Sequence, residues 1–471
     1  MSAQDSTRDP NEHLTPAWST PPQPFRLHVA RPGFWDSLEY RPLRRRPPLA
    51  DEIEVEVTAS ALNFIDVMKA MGTYPGSETS AAQLGGECAG RVIAVGPGLS
   101  TLAVGDRVVA CASGAVASHV TLRADHAQRI PDGMDDHTAA GLSLVLTTAW
   151  YGLHDLARLE PGESVLIHAA SGGLGLAAIQ VASALGARIL ATAGNEHKRS
   201  YLRTLGIADV FDSRDLSWVD GARAATRGRG VDVVLNSLTG AAIPLGLDAL
   251  AEDGRFIEVG KQDIHAGRTV RLTAFKKGIS LAAVDVGGLL ERRPERFARV
   301  FASAWLRVRS GAFGPLPTKL YAFCDACDAL CAMSRGHHVG KLVLAAPETV
   351  HNVAPEAMPH GRLRSGNAFR SQLEASPEAA RHALAEAKVC ELASVVLRLE
   401  SAGINSETPF KALGLDSLVG RELRNRLEAA FGLQLSPMLL CTYGSARALA
   451  AVLCERVFAT RHDNPKALTI C

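Results

Sequence analysis

Hydrophobic and polar residues alternate in the first third of this 471-residue chain. In the segment DEIEVEV, Ile53, Val55 and Val57 are separated by glutamates, which is the period-two pattern of a strand with one buried face. Further short apolar segments follow up to about residue 131, and glycines separate them. The pattern therefore predicts a mainly β domain in this part of the chain.

The pattern changes near Leu144. Short runs of buried-strand character, such as ESVLIHAA and VDVVLNSL, now alternate with helical segments such as LGLAAIQVASALGA. Strands that alternate with helices favour right-handed βαβ units around a parallel sheet. Strand character returns in HVGKLVLAA, at 338–346.

The last quarter of the chain contains two amphipathic helical patterns after a stretch that is rich in Pro, Ser and Gly. In the second helix, SLVGRELRNRLEAAF, Leu418, Leu423, Leu427 and Phe431 recur at helical spacing. These segments predict a small helical domain after a linker.

Composition narrows the class of protein. The net charge is +1, which gives no sign of a nucleic-acid-binding surface. The nine cysteines show no disulfide spacing, which favours a reducing compartment. The N-terminal segment lacks the apolar core of a signal peptide, and the most apolar stretch, at 141–153, is too short to span a bilayer. We therefore expect a cytoplasmic protein without nucleic-acid or membrane partners.

A glycine-rich segment, HAASGGLGLA, follows a predicted strand and begins a predicted helix. Ala170, Gly172 and Gly175 match a variant of the dinucleotide-binding fingerprint, and Gly173 lies between them. Glycines permit a tight turn and let the backbone approach a pyrophosphate, which then meets the free N–H groups of the helix. A plain strand–helix turn is the alternative interpretation, and the βαβ setting disfavours it.

The end of the next predicted strand bears on the choice of cofactor. A carboxylate there would bind the ribose 2′-hydroxyl of NAD, but residues 192–194 contain no acid, and Lys198 and Arg199 follow. Small residues and then cations suit a 2′-phosphate, so the segment favours NADPH. Alternatively, both cations belong to a solvated helix face.

Several blocks resemble, in the same order, the enoylreductase domain of modular polyketide synthases and animal fatty-acid synthase, within the medium-chain dehydrogenase/reductase superfamily. They include ALNFIDVMKAMGTYPG, PGESVLIHAASGGLGLAAIQVA, DGRFIEVGKQDI and RGHHVGKLVL. The resemblance implies an α/β fold with a GroES-like β domain (25–140 and about 275–347) and a Rossmann NADPH domain (about 141–274). It also implies NADPH-dependent reduction of an α,β-unsaturated acyl thioester, with a hydride added at C3 and a proton at C2.

The resemblance also implies which residues act. Lys261 in VGKQDI and Asp285 in SLAAVD match a lysine and an aspartate that lie near the nicotinamide in the family. A surface ion pair is the alternative interpretation of these two. Tyr74 in GTYPG matches a tyrosine proposed as a proton donor in related mitochondrial enoyl reductases, and its alternative role is packing against the substrate channel. Ile65 departs from the family, which usually has arginine there.

We expect no metal in the site. Zinc alcohol dehydrogenases of the superfamily use Cys, His and a Cys or Asp as ligands, whereas Asn63 and Phe64 stand at the first ligand position and GGECAG lacks the histidine. Cys88 and Cys111 alone do not make a plausible catalytic zinc site. The cysteines of CDACDALC, at 324–331, fit a buried helix face better than a metal site.

The segment TPFKALGLDSLVGRELRNRLEAAFG resembles the acyl carrier domain of the same synthases. There the serine of DSL, which is Ser417 here, begins a helix and receives 4′-phosphopantetheine. A serine at the start of a helix is exposed, and a phosphodiester there meets the favourable end of the helix dipole. A plain N-cap is the alternative role. Gly444 departs from the family, in which proline is common at that position.

Together these features predict an enoylreductase–carrier fragment of a polyketide synthase. Expected partners are an acyl-thioester substrate, a phosphopantetheinyl transferase and other synthase subunits or modules with ketosynthase, acyltransferase, dehydratase and ketoreductase activities. Two rivals remain: a quinone, enone or crotonyl-CoA-type reductase fused to a carrier, and a non-catalytic reductase scaffold beside an active carrier. The predicted organisation is a disordered lead (1–24), an enoylreductase (25–347), a linker (348–380), an acyl carrier domain (381–458) and a tail (459–471).

Overall fold

The computed structural model describes residues 24–74, 83–345, 367–397, 399, 404–410, 412–415, 417–435 and 439–459. The predicted disordered lead up to residue 23 and the predicted tail from residue 460 lie outside the described residues. The first part of the predicted linker, up to residue 366, lies outside them as well.

The N-terminal part of the chain is mainly β, as the alternation predicts. Its elements are β1 (Phe25–Val29), β2 (Leu38–Pro42), β3 (Glu52–Ala61), α1 (Phe64–Ala70), β4 (Glu87–Val95), β5 (Arg107–Cys111), β6 (His119–Arg123) and β7 (Ala127–Arg129). β1 pairs with β2, while β3 pairs with both β4 and β6, and β5 and β7 extend that sheet. In β3, Ile53 and Val55 are fully buried and Glu56 is exposed. Glu54 is also buried, and its carboxylate is satisfied there by hydrogen bonds of 2.7 and 3.0 Å from Arg45.

A six-stranded parallel sheet follows. Its strands and helices are α2 (Asp136–Trp150), β8 (Ser164–Ile167), α3 (Gly173–Ala184), β9 (Arg188–Ala193), α4 (Glu196–Thr204), β10 (Asp209–Asp212), α5 (Trp218–Ala225), β11 (Val231–Asn236), α6 (Ala242–Ala249), β12 (Leu250–Glu258), α7 (Gln262–His265) and β13 (Ser280–Ala283). The strand order is β10-β9-β8-β11-β12-β13, which is the doubly wound order of a Rossmann domain. Val165, Leu166 and Ile167 in the central β8 are fully buried, as expected for a strand with helices on both faces. The predicted fold class is confirmed.

Two elements of the structure lie across the predicted boundaries of this domain. β13 pairs in parallel with β12 from Arg255–Ser280 to Glu258–Ala283, so the Rossmann sheet extends past residue 274. α2 runs through the predicted boundary at residue 140 and packs against both β3 and α3. One helix therefore packs against both domains.

The chain then returns to the first sheet. The returning elements are α8 (Val286–Arg292), α9 (Pro294–Arg309), β14 (Thr318–Ala322), α10 (Ala326–Ser334) and β15 (Lys341–Ala345). β15 pairs antiparallel with β3 and parallel with β14. Just before β15, the Gly340 N–H donates to the Ser171 carbonyl at 2.9 Å, which ties the returning strand to the glycine-rich loop.

The last domain is a cluster of helices. They are α11 (Asn367–Ala375), α12 (Glu378–Leu397), α13 (Ser417–Phe431), α14 (Leu439–Thr442) and α15 (Ala446–Ala459). Leu423, Leu427 and Phe431 are fully buried in its core, as their spacing predicts. α11 lies inside the predicted linker. It packs on the helical domain, where the Phe369 ring meets Phe431 edge-on with ring centroids 5.1 Å apart. None of the helices described is long and apolar enough to cross a membrane.

Candidate active site and comparison with known proteins

A cavity of about 820 Å³ lies between the β domain and the Rossmann domain. It is bordered by α1, by the loop from β8 to α3 and by the carboxyl ends of β11 to β13, the edge at which parallel sheets bind ligands. The predicted site residues that line it are Tyr74, Gly172, Gly173, Gly175, Lys198, Lys261 and Asp285. The fold therefore brings residues from distant parts of the sequence to one cavity.

The glycine-rich loop is shaped by close packing. A Cβ on Gly175 would lie 2.4 Å from Ala170 Cα, so only glycine lets α3 approach the strand this closely. A Cβ on Gly172 would meet nothing nearer than the Ala169 carbonyl at 3.4 Å, which leaves the backbone at Gly172 on the cavity surface. Ala170 is fully buried beneath the loop. The loop thus presents backbone to the cavity at the start of α3.

The side chains of the two predicted phosphate-binding cations make different contacts. Lys198 lines the cavity, and its Nζ donates to the Gly336 carbonyl at 2.6 Å, which uses one of three ammonium donors. Arg199 instead forms ion pairs with Asp212 at 2.6 Å and with Glu196 at 3.0 Å, and it is not among the residues that line the cavity. Lys198 is therefore the cation of this pair that is placed to meet a ligand.

Residues at the end of β10 also reach this region, and the sequence did not indicate them. Ser213 lines the cavity, and a Cβ on Gly194 would lie 3.2 Å from Arg214 Nε. The strand order could have indicated these residues. β10 is the neighbour of β9, and parallel strands end at the same edge of a sheet, so residues after β10 lie near those after β9.

Lys261 and Asp285 form a direct ion pair at the cavity, with Nζ and Oδ1 2.6 Å apart. Asp285 also caps α8, accepting from the Gly288 N–H at 3.0 Å, and it pairs with Arg292 at 2.8 Å. Burial alone would raise the pKa of the Asp285 carboxyl, but hydrogen bonds from Lys261 and Arg292 outweigh burial and lower this pKa to about 2. Asp285 therefore stays ionised at neutral pH and holds the Lys261 ammonium at the cavity.

The Tyr74 ring lies close to two ammonium groups. Lys261 Nζ is 5.8 Å and Lys69 Nζ is 5.5 Å from the ring centroid, within the range of cation–π attraction. Lys69 is buried and donates to the Gln83 carbonyl at 2.9 Å, and burial lowers the pKa of its ammonium. Lys69 was not a predicted site residue. The cavity therefore carries more positive charge beside Tyr74 than the motif alone indicated.

A buried ion pair lies at the cavity, where Lys341 is one of the lining residues, and the sequence analysis did not predict it. Lys341 Nζ donates to the Leu62 carbonyl at 2.8 Å, to Asn63 Oδ1 at 2.8 Å and to Glu87 Oε1 at 2.9 Å. The other Glu87 oxygen accepts from Ser143 Oγ at 2.7 Å. Both charged side chains are almost fully excluded from solvent. This network connects four parts of the structure at the cavity, namely β15, the loop that follows β3, strand β4 and helix α2.

Removing one member of the buried pair is expected to destabilise the protein strongly. Lys341→Met leaves the Glu87 carboxylate buried without its cation, so the free energy of unfolding should fall by about 3 kcal/mol. Chemical denaturation followed by tryptophan fluorescence measures this. As a matched control, Arg188→Ala breaks a largely exposed pair with Asp209 and should cost about 1 kcal/mol or less. Equal losses in the two variants would contradict a structural role for the buried pair.

Two histidines also line the cavity, and both are expected to be neutral near pH 7. Burial lowers the pKa of His168 to about 3 and, with the nearby cations Lys198 and Lys341, lowers the pKa of His338 to about 4. His168 Nε2 and His338 Nδ1 have no hydrogen-bond partner among the described residues. These rings therefore offer the cavity polar atoms rather than charge.

The cysteines near the site are buried thiols. Burial raises the pKa of Cys88 to about 12 and raises that of Cys111 well above its usual range. Across the described part of the chain, no group of three or more His, Cys, Asp or Glu side chains could hold a metal ion. In CDACDALC, Cys331 is buried on α10 while Cys324 and Cys327 are half-buried.

Ser417 is the first residue of α13. Gly414, three residues earlier, has a φ of +89°, a left-handed conformation that favours glycine and turns the chain into the helix. Asp416, which precedes the serine, lies outside the described residues. The helix start is therefore formed where the sequence predicts it.

Three family profiles match the chain. Alcohol dehydrogenase GroES-like domain matches residues 49–132, and Zinc-binding dehydrogenase matches residues 173–303. Phosphopantetheine attachment site matches residues 387–453, which include Ser417.

Comparison with similar proteins identifies the family of this chain. The mycocerosic acid synthase-like polyketide synthase of Mycobacterium tuberculosis is 43% identical over 325 residues, which are 69% of this chain and 15% of that protein. The solved structure of the CurK enoyl reductase is 36% identical, with a TM-score of 0.64, and the match covers 69% of this chain and 100% of that one. The chain belongs to the polyketide synthase enoylreductases. The chain is also 34% identical to the CurF ER cyclopropanase from the curacin A biosynthetic pathway, with a TM-score of 0.65 over 69% of this chain and 100% of that one.

The matched part of the chain spans about 15% of the length of the curated polyketide synthases that it matches. Its fold is shared beyond them: Escherichia coli quinone oxidoreductase complexed with NADPH is 28% identical, with a TM-score of 0.62 over 68% of this chain and 99% of that one. The predicted family, with a reductase followed by a carrier domain, is confirmed.

Proposed function

We propose that this enoylreductase reduces the 2,3 double bond of an α,β-unsaturated acyl thioester carried on a phosphopantetheine arm at Ser417, with NADPH as reductant. One observation carries the proposal. Lys261, Asp285 and Tyr74 converge with the glycine-rich loop on a single cavity, in a chain that also has a phosphopantetheine attachment domain.

The residues around the glycine-rich loop fit a dinucleotide phosphate. Gly172 and Gly173 put backbone at the cavity where α3 begins, and N–H groups at a helix start bind phosphate oxygens. Lys198 supplies a cation beyond the end of β9, where a ribose 2′-phosphate would lie. Bound NADPH supplies the hydride for the reduction. These residues hold and orient it.

Negative charge that develops on the substrate needs stabilisation by the protein. When C3 of the enoyl thioester accepts a hydride, an enolate forms at C2 and the thioester oxygen. The Lys261 ammonium, fixed by Asp285 at 2.6 Å, is placed to stabilise that charge and to position a proton. The Tyr74 hydroxyl can deliver the proton to C2, and its ring lies near the ammonium groups of Lys69 and Lys261.

Part of the cavity lining suits an acyl chain. Its apolar residues include Phe64, Ile65, Met68, Leu144 and Val145. Ile65 stands where the family usually has arginine, so this enzyme has an apolar contact at that position. We propose that this part of the lining binds the carbons next to the double bond.

Loss of the Lys198 cation should weaken the binding of NADPH but not the binding of NADH. In Lys198→Ala, the Kd for NADPH is expected to rise about tenfold, because a charge-assisted hydrogen bond to phosphate is lost, while the Kd for NADH stays unchanged. Fluorescence titration measures both. Arg199→Ala is the matched control: its guanidinium is engaged with Asp212 and Glu196, so NADPH binding should change less than twofold. A larger effect in Arg199→Ala than in Lys198→Ala would reverse the assignment.

The likeness to a quinone oxidoreductase supports a second candidate, a reductase for free quinones or enones joined to a carrier domain. The two candidates differ in substrate. The thioester reductase should turn over enoyl-pantetheine at least tenfold faster than a small quinone, and the quinone reductase should show the reverse.

The surrounding synthase must make the substrate. Because the relatives are much longer polyketide synthases, we propose that ketosynthase, acyltransferase, ketoreductase and dehydratase units of the same assembly supply the enoyl chain, and that a phosphopantetheinyl transferase loads Ser417. These steps would occur in the cytoplasm, where the free thiols stay reduced.

The direct test of the proposed activity uses a free substrate. Purified chain is mixed with crotonyl-pantetheine and NADPH, and the reduced nicotinamide absorbance is followed. The proposal predicts oxidation of NADPH and formation of butyryl-pantetheine. NADPH binding without any product would support the scaffold alternative and end the enzymatic proposal.

A further inference from the structure

The carrier domain contacts the reductase at the end of α1. Arg421 on α13 donates from Nη2 to the Gly72 carbonyl at 3.3 Å, and Asn425, one helical turn later, donates from Nδ2 to the Gly33 carbonyl at 3.1 Å. Both side chains are half-buried. One face of α13 therefore meets two backbone carbonyls of the reductase.

These two carbonyls belong to one small surface. The Gly33 N–H donates to the Ala70 carbonyl at 2.8 Å, and a Cβ on Gly72 would lie 2.8 Å from Pro32 Cβ. A Cβ on Gly33, whose φ is +95°, would lie 2.2 Å from Asn425 Nδ2. The absence of a side chain at Gly33 is thus what lets Asn425 reach the backbone. We call Pro32, Gly33 and residues 70–72 the α1 ledge.

The α1 ledge is continuous with the active-site cavity. The helix that ends at the ledge lines the cavity with Phe64, Asp66 and Lys69. Tyr74 follows Gly72 by two residues and lines the cavity as well. A carrier seated on the ledge is therefore beside the residues proposed to act on its substrate.

A third contact lies on the neighbouring helix of the reductase. Arg335, directly after α10, donates from Nη2 to the carbonyl of Leu397, the last residue of α12, at 3.2 Å. α10 packs against α1, and Gly336 next to Arg335 lines the cavity. Two helices of the carrier are thus held by two adjoining elements of the cavity wall.

We infer that the α1 ledge, with Arg335, is the docking surface on which the carrier delivers its acyl arm for reduction. This inference rests on the proposed function. Ser417 lies one turn before Arg421, about 6 Å along the helix. An extended phosphopantetheine arm has the length of about five extended residues, roughly 17 Å. Arg421 contacts the Gly72 carbonyl, and Tyr74 at the cavity follows two residues after Gly72, so an arm on Ser417 would start beside the cavity wall.

The contact chemistry suits a transient docking site. On the ledge, carrier side chains donate to backbone carbonyls of the reductase, and at Arg335 a reductase side chain donates to a backbone carbonyl of the carrier. Arg335, Arg421 and Asn425 make polar hydrogen-bond contacts, which can form and break during turnover. Docking raises the effective concentration of the arm at the cavity without tight binding.

The test compares tethered and free substrate in the intact chain. A phosphopantetheinyl transferase and crotonyl-CoA load Ser417, the loaded fraction is measured by intact mass, and NADPH oxidation is followed in a single turnover. The double variant Arg421→Glu with Asn425→Ala, and separately Arg335→Ala, should reduce the tethered crotonyl group at least about tenfold more slowly per loaded chain. Turnover of free crotonyl-pantetheine should remain unchanged in both, because the cavity is intact.

A matched control lies on another helix of the carrier. Arg456 on α15 is exposed, and Arg456→Glu changes the charge by as much as Arg421→Glu, so its tethered rate should equal that of the unmodified chain. Unchanged tethered rates in the ledge variants would overturn the docking surface, and so would an equal fall with free substrate. If the unmodified chain fails to reduce the free thioester, the proposed function itself is overturned.

Discussion

The Ser417→Ala variant is expected to gain no mass when it is coexpressed with a phosphopantetheinyl transferase, and to lose reduction of tethered substrate completely. The physical reason is that the arm is joined through the hydroxyl of the serine, and no other atom of the side chain can form that phosphodiester. Ser417 begins α13, where a phosphate meets the positive end of the helix dipole. Intact-protein mass spectrometry measures the loading.

A second serine provides the control. Ser445 precedes α15, and its Oγ accepts from the Ala448 N–H at 3.4 Å, which is the role of a helix cap. Ser445→Ala should still load fully and should cost the carrier about 1 kcal/mol of stability. Loading of Ser417→Ala, or loss of loading in Ser445→Ala alone, would mean that the arm is attached elsewhere.

The second large effect is expected at Lys261. Lys261→Ala removes the cation nearest to Asp285 at the cavity, so kcat for enoyl-pantetheine should fall about 10²- to 10³-fold, the size expected for loss of a group that stabilises developing charge. The Kd for NADPH should stay within about threefold of the original, because the glycine-rich loop and Lys198 are untouched. Steady-state kinetics and a cofactor titration separate the two quantities.

Another lysine tests whether charge alone explains the loss. Lys276 is exposed outside the cavity, and Lys276→Ala should leave kcat unchanged. A Lys261→Ala enzyme with the original kcat would remove this residue from the mechanism. The surface ion pair, the alternative interpretation, would then be the better account of Lys261 and Asp285.

The fold was predictable where local pattern and packing agree. The alternation in β3, the uninterrupted apolar run of β8 and the spacing of Leu423, Leu427 and Phe431 each identify a buried face directly. β13 was harder to predict, because Ser280–Ala283 is a four-residue edge strand whose side chains are mostly exposed. α11 was missed because the Pro- and Gly-rich composition before residue 366 hid a short helix whose stability comes from contact with α13.

The site was predictable where a short motif carries the geometry. Glycine at position 175 is required by packing within its own strand–loop–helix unit, so the sequence contains that information locally. The Glu87–Lys341 pair is different, because its members are 254 residues apart and meet only when β15 joins the sheet beside β3 and β4. Lys198 and Arg199 looked equivalent in the sequence, but in the fold Asp212 and Glu196 engage Arg199, while Lys198 reaches the cavity.

The central claim is that the chain reduces an enoyl group held on its own serine. The most direct measurement is the intact mass of the crotonyl-loaded chain before and after addition of NADPH, together with the amount of NADPH consumed. The account predicts a gain of two hydrogens on the arm at Ser417 and one NADPH oxidised for each loaded chain. A loaded arm whose mass does not change, under conditions in which NADPH binds, would contradict it.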